Sequence, residues 1–388
     1  MKLVITITLI AMLLVAVIPS ALAQSTKTSV IILFNDKISD KQINLVKSVG
    51  GDITRNYKLI NGVAANLPQN AIENLKKNPN VIAVDPDVEL YATELSADTQ
   101  IRADKVWFIG KIGTGSLVAV LDTGIDTSHP QFTSRIEECV SMYTSGSLGD
   151  QSCVDENGHG THTAGIVGAS GDPEISAKGV APGVSIKVVK VLKKTGSGSL
   201  SAIISGMDYA VAHGAKVISM SLGTNPISTT ESNCDSAYPS FTDAVNNAVS
   251  AGVSVVASAG NKGTSGVGAP GCISGTIVVT AVDDSDVITS WSSKGGPVLD
   301  HGISAPGDSI FSTYPGGYTA MSGTSMAAPH IAGVIALMLN TNPSLTPLDI
   351  KNTLFSTACT ALTIPSCPTG NVPNTSYGHG RVDALSAT

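Results

Sequence analysis

Two rhythms of apolar and polar residues divide the chain, one before residue 90 and another after residue 117. In the first, residues 30–34 (Val-Ile-Ile-Leu-Phe) read as a buried strand and residues 40–49 as a helix closed by Gly50-Gly51. Residues 57–60 and 63–67 read as a hairpin turning on Asn61-Gly62, a strong two-residue turn signal. Residues 70–77 read as a second helix, ended by Asn78-Pro79, and residues 81–84 as a last strand. This β-α-β-β-α-β order predicts a small ferredoxin-like α+β domain with no catalytic constellation of its own. In the second rhythm, strands at 117–121, 185–192, 216–220 and 253–258 alternate with a helix starting near 160 and helices at 199–213 and 242–251. Such alternation predicts an α/β fold, a parallel sheet with helices on both faces. Its functional site belongs at the carboxyl ends of the strands. A polar stretch at residues 93–100 separates the two regions, where a linker or processing site is expected.

Ahead of both regions, Lys2 and a nearly all-apolar run to Ile18 are followed by Pro19-Ser20 and by Ala21-Leu22-Ala23. That is the pattern of a cleaved signal peptide, and the run is short for a membrane span, which needs about 20 apolar residues. The expected organisation is a signal peptide over 1–23, a small domain over 24–92 and a large one over 93–388, with the boundary inside 91–100. Export is expected, with no membrane attachment after cleavage. Composition sharpens this. Hydrophobic residues make up 42% of the chain and charged ones 14%, enough for a large core. With aromatics at 4% and 39 glycines, that core must be built from Val, Ile, Ala and Leu, which suits buried parallel strands. A net charge of −7 gives no sign of the cationic surface that a nucleic-acid partner requires, and none is expected. In an oxidising compartment the six cysteines are expected to pair. Proximity along the chain suggests Cys139–Cys153, Cys234–Cys272 and Cys359–Cys367. No CxxC is present to support zinc or redox chemistry.

Four segments carry candidate chemistry. Residues 118–124 run from a strand into Asp122-Thr123-Gly124; residues 157–165 form a glycine-rich turn around His159 that opens a helix. Ser325 stands in Ser-Gly-Thr-Ser-Met at the start of an apolar helix, and Asn261 follows the strand ending Ala-Ser-Ala-Gly. A serine hydroxyl attacks only when a base takes its proton, and the base needs an acceptor on its other nitrogen. Backbone N–H groups at a helix start, with an amide such as that of Asn261, suit a developing oxyanion.

The strings LDTGID, HGTHTAG, SMSLG, SAGN and SGTSMAAPH, in that order, resemble the signature blocks of subtilisin-type serine proteases, and residues 377–384 resemble that family's closing segment. The β-α-β-β-α-β region is similar to the family's propeptide, which assists folding and then inhibits the enzyme. Residues 87–92 stand where its product-like end would occupy the active site. The resemblance implies Asp122 as orienting acid, His159 as general base, Ser325 as nucleophile and Asn261 as oxyanion donor. It implies Ser221, Leu222 and Gly223 as the edge that pairs with substrate backbone, with Gly260 and Gly268 shaping the specificity pocket. The activity implied is a secreted, self-processed endopeptidase acting on proteins and peptides, held by its own propeptide, with a monomer as the default state.

Taken singly, these residues have plainer readings, since an Asp at a strand end is ordinarily a turn residue and a Ser in Gly-Thr-Ser ordinarily a cap. Their ordered combination carries the catalytic reading. His162 is expected to pack or hydrogen-bond in the core, because its spacing from His159 is not that of a zinc motif. His129, His213, His301, His330 and His379 are read as structural, and Asp126 and Asp155 as surface or turn residues. No cofactor is needed for the chemistry and no metal ligand is assigned. A structural calcium is left open without being predicted: Gln131 stands where many relatives carry an acid, and Asp172 and Glu174 are too few ligands. Lys262, beside Asn261, is expected to disfavour Lys or Arg before the scissile bond. The rival readings are an inactive binding protein on this fold and a peptide ligase. An esterase would be expected to carry GxSxG, which Ser325 lacks.

Overall fold

The computed structural model describes residues 27–87, 97–143, 152–171, 177–226, 231–360, 367 and 371–388. The expected signal peptide, residues 88–92 of the expected product-like tail, and Asp172 and Glu174 lie outside the described residues. The chain divides into two compact units, Met1–Ala92 and Thr93–Thr388.

The first unit runs β1 (Lys27–Phe34), α1 (Asp40–Ser48), β2 (Asp52–Asn56), β3 (Gly62–Pro68), α2 (Gln69–Lys76) and β4 (Val81–Pro86). Its antiparallel sheet has the order β2-β3-β1-β4, as the β-α-β-β-α-β pattern predicts. Alternate residues of β1 (Val30, Ile32, Phe34) meet Val46 of α1 and Leu75 of α2 in the core. The hairpin register differs from expectation. The strand before the turn is residues 52–56, and Asn56 rather than Ile60 pairs with Val63. Gly62 is already in the ladder opposite Leu33, and a Cβ there would come within 2.9 Å of the Ile32 carbonyl oxygen. The glycine serves that close approach, not a two-residue turn. Residues 57–61 form a loop with Leu59 98% exposed, closed by Tyr57 N donating to Gly62 O at 3.1 Å.

The second unit opens with the short helices α3 (Ala97–Gln100) and α4 (Ala103–Phe108) and the strands β5 (Leu117–Asp122) and β6 (Ile136–Ser141). Then come α5 (His159–Gly168), β7 (Ser185–Lys190), α6 (Leu200–Ala212), β8 (Val217–Met220), α7 (Glu231–Ala237), α8 (Pro239–Ser250) and β9 (Ser254–Ser258). The rest is β10 (Ile277–Val282), α9 (Gly296–His301), β11 (Gly302–Pro306), the hairpin β12 (Ile310–Tyr314) and β13 (Gly317–Met321), then α10 (Thr324–Thr341), α11 (Pro347–Ser356) and α12 (Ala384–Ala387). Strands β5 to β11 form one parallel seven-stranded sheet in the order β11-β10-β9-β8-β5-β7-β6. Val118 and Val120 of β5 point into a core shared with α5 and α10, whereas Ala119 and Leu121 point into one shared with α6 and α8. A strand covered on both faces must be apolar throughout, hence the unbroken run before Asp122. The chain builds β7 and β6 on one side of β5 and β8 to β11 on the other. This reversal of winding opens a crevice beside the end of β5.

The three sequential cysteine pairs are disulfides, with Cα separations of 5.6, 5.7 and 5.7 Å in chain order. Among the described residues no helix is long and apolar enough to cross a membrane.

Candidate active site

Asp122 is the last residue of β5 and has no exposed side-chain surface. Its Oδ1 accepts from Thr123 N at 2.7 Å and from His159 Nδ1 at 2.8 Å, and its Oδ2 accepts from Thr163 Oγ1 at 3.2 Å. His159 is the first residue of α5. It follows Gly158, whose φ of +99° turns the chain into the helix where the Tyr314 ring leaves no room for a Cβ. Donating through Nδ1, the imidazole keeps Nε2 free to accept a proton. Burial alone would lower the imidazole pKa. The charge and hydrogen bond of Asp122, with a further contribution from Asp155, outweigh it and hold the value above the ordinary one.

Ser325 is the second residue of α10. Pro329, four residues on, has no N–H to give the Ser325 carbonyl. The hydroxyl of Ser221 takes that place, donating to Ser325 O at 2.7 Å. Ser325 Oγ lies 3.4 Å from the carbonyl oxygen of Ser221. The start of the helix is therefore tied to the segment that follows β8.

Asn261, beyond the end of β9, is fixed through its acceptor. Its Oδ1 takes hydrogen bonds from Thr324 N and Thr324 Oγ1, both at 3.0 Å, leaving Nδ2 to donate elsewhere. A methyl on Gly323 would stand 3.3 Å from Asn261 Nδ2 and 3.5 Å from Ser325 N. Two N–H donors thus flank one space that only a glycine leaves open.

A cleft of about 510 Å³ is lined by His159, Ser325, Ser221, Leu222 and Gly223, and it extends over apolar side chains including Leu200, Ile203 and Phe241. Gly260 and Gly268 do not line this cleft. Gly260 N donates to Thr324 Oγ1 at 3.0 Å, and Gly268 packs where a Cβ would sit 2.2 Å from the Thr224 carbonyl oxygen. Lys262 is exposed beside Asn261, with its backbone N bonded to Ser293 Oγ at 3.1 Å.

Of the surface or turn role expected for Asp155, the turn role is the one it takes, and it takes it buried. It is 4% exposed and accepts five hydrogen bonds around the start of α5. Its position four residues before His159, just ahead of a glycine turn, was the available signal. Thr123, Thr163, Pro329, Thr324 and Gly323 gave none as single residues, because each acts only through its placement beside another residue of the site. Asp126 is half-exposed and caps its own turn through Ser128. His162 is fully buried, donates to Thr319 O at 3.1 Å, and is held by burial to a pKa of about 4, a neutral core residue.

Gln131, the residue standing at the expected calcium position, is fully engaged. Gln131 Oε1 accepts from Ser170 Oγ at 2.9 Å and Gly171 N at 2.7 Å, while Nε2 reaches Tyr318 Oη at 3.0 Å. The amide is committed to holding the loop. Among the described residues no group of three or more His, Cys, Asp and Glu is placed to hold a metal ion.

The subtilase family model matches residues 113–380, and the peptidase inhibitor I9 model matches residues 20–93. The chain is 39% identical over 333 residues to subtilisin E of Bacillus subtilis (strain 168), covering 82% of this chain and 81% of that one. It is 36% identical over 373 residues to a thermostable alkaline protease of Halalkalibacterium halodurans, covering 95% and 94%. It is also 36% identical over 342 residues to M-protease of Shouchella clausii, covering 87% and 82%.

Proposed function

This chain belongs to the subtilase family and is a serine-type endopeptidase, and from that premise we propose that Asp122, His159 and Ser325 are its triad and Asn261 its oxyanion donor. The observation that carries the reading is the 2.8 Å bond from His159 Nδ1 to buried Asp122, on the same cleft as Ser325. Ser325 Oγ attacks the peptide carbonyl carbon while His159 Nε2 takes its proton. Asn261 Nδ2 and Ser325 N hold the oxyanion in the space beside Gly323. Collapse breaks the C–N bond, and the leaving amine takes the proton from His159. Water, deprotonated by His159, then attacks the acyl carbon; the ester C–O bond breaks, the acid product leaves, and His159 returns the proton to Ser325 Oγ. The Ser221–Gly223 segment pairs with substrate backbone as an added strand, and the apolar floor selects aliphatic or aromatic side chains. Lys262 disfavours Lys or Arg before the scissile bond, and Gly260 and Gly268 shape the specificity pocket only through the residues they contact, Thr324 and Thr224.

Residues 1–23 act as a signal peptide that exports the protein. Residues 24–92 are the inhibitory propeptide, and the self-processed, monomeric peptidase spans 93–388. The I9 match supports an intramolecular inhibitor over this region. No cofactor takes part, and calcium is not required by the chemistry.

Intact mass of the secreted wild-type protein beside Ser325→Ala tests this reading. The wild type should lack the small domain and the variant keep it. Retention in both, with no cleavage of a denatured protein substrate, would overturn self-processing by Ser325 and favour an inactive binding protein.

A further inference from the structure

The acid and the base come from segments distant in sequence, the end of β5 and the start of α5, and something must fix one against the other. Asp155 lies between them. Its Oδ1 accepts from Thr123 Oγ1 at 2.8 Å, Asn157 N at 3.1 Å and Gly158 N at 2.8 Å. Its Oδ2 accepts from Thr161 N at 2.8 Å and Thr161 Oγ1 at 2.6 Å. Thr123, next to Asp122, also accepts from Gly160 N at 2.9 Å. Of the first N–H groups of α5, which no helix can satisfy internally, that of His159 ends on Asn157 Oδ1 at 3.3 Å, that of Gly160 on Thr123 and that of Thr161 on Asp155. We infer that Asp155 is a positioning residue for the acid–base pair, setting the start of α5, and with it His159, against the end of β5. The inference deepens, and rests on, the peptidase reading above.

A simple helix cap would need only one or two of these bonds. Here one carboxylate grips both sides of the pair, and both of its oxygens are filled by donors. Asparagine cannot reproduce this. Whichever way its amide turns, the NH₂ faces a backbone N–H, of Gly158 on one side or of Thr161 on the other. The ionisable groups around His159 are Asp122, Asp155 and His162, with Lys190 on the neighbouring strand donating to Val154 O at 2.8 Å. Asp155 is thus one of two carboxylates whose charge acts on the imidazole.

The test uses full-length precursor carrying Asp155→Asn, Thr123→Val or Thr123→Ser, with matured enzyme counted by exhaustive fluorophosphonate labelling and assayed on a peptide anilide. Asp155→Asn should lower kcat about 10- to 100-fold, the scale of a misplaced catalytic group, with KM within about twofold. The acid limb of kcat/KM should move to lower pH, because a negative charge near His159 is gone. Thr123→Val should lower kcat and Thr123→Ser should restore it, since only the hydroxyl links Asp155 to Gly160. A folded Asp155→Asn enzyme with wild-type kcat and acid limb would overturn the inference. If that variant does not fold, equal kcat for Thr123→Val and Thr123→Ser overturns it instead. A wild type without peptidase activity in the same assay removes the underlying reading, which is a separate outcome.

Discussion

At the scale of single residues, the histidines separate by environment. His159, bonded to Asp122 and near the charge of Asp155, has its pKa held above the ordinary value of about 6.5. His162 and His330 are pushed down to about 4 and His301 to about 3, in each case first by burial. The proposed mechanism needs neutral His159. Because Asp122 favours the protonated form, the acid limb of kcat/KM should lie above pH 6.5, and activity should fall reversibly below it. The buried histidines act with the opposite sign. The unfolded chain takes up protons near pH 6.5, whereas the folded chain resists until about pH 4, so stability is lost as pH falls across that window. Activity followed on return to neutral pH, beside melting temperature at each pH, separates the two effects. A rate flat down to pH 4 contradicts His159 as the base. A melting temperature flat between pH 6.5 and 4 contradicts neutral burial of the other three.

At the scale of elements, the loop after α5 shows one side chain holding what an ion could otherwise hold. Gln131 is 4% exposed and makes three hydrogen bonds to Ser170, Gly171 and Tyr318. Gln131→Ala leaves those partners unmatched and should cost about 2 kcal/mol, lowering the melting temperature by about 4–8 °C. Excess EDTA is the companion measurement. A melting temperature unmoved by chelator and lowered by Gln131→Ala assigns the loop to the amide; the reverse pattern assigns it to a cation. Elements of this kind mark how far the sequence could be read. Motif blocks and buried parallel strands were legible, because an unbroken apolar run ending on Asp122 has few other uses. The hairpin register was not. Asn61-Gly62 has turn chemistry, but Gly62 is claimed by its approach to the Ile32 carbonyl, a contact between residues thirty positions apart. Asp155 escaped for the same reason, since its burial depends on a strand end and a helix start that meet only in the fold. Strands β6 and β11 and the β12–β13 hairpin carry mixed patterns, and their strand character comes from their neighbours.

At the scale of the whole molecule, the two units have separate cores of very different depth. The large unit encloses a seven-stranded sheet between two helical layers. Such parallel topologies pair residues far apart in sequence and reach their native contacts slowly. The small unit has a single modest core, and domains of its size are marginal on their own. If the I9 region assists folding of the peptidase, damage to its core should appear in the yield of active enzyme and nowhere else. Phe34 is fully buried at the end of β1, and Phe34→Ala should cost about 3–5 kcal/mol, comparable to the whole stability of so small a unit. The expected result is a sharp fall in matured enzyme secreted per cell, with kcat and KM per titrated active site unchanged. Under the proposed processing, Phe34 leaves with the small unit and cannot act on the finished catalyst. An unchanged yield would show that the large unit folds without an intact small one. A changed kcat would mean that the small unit stays bound and continues to inhibit, which intact mass and gel filtration of the same sample would reveal.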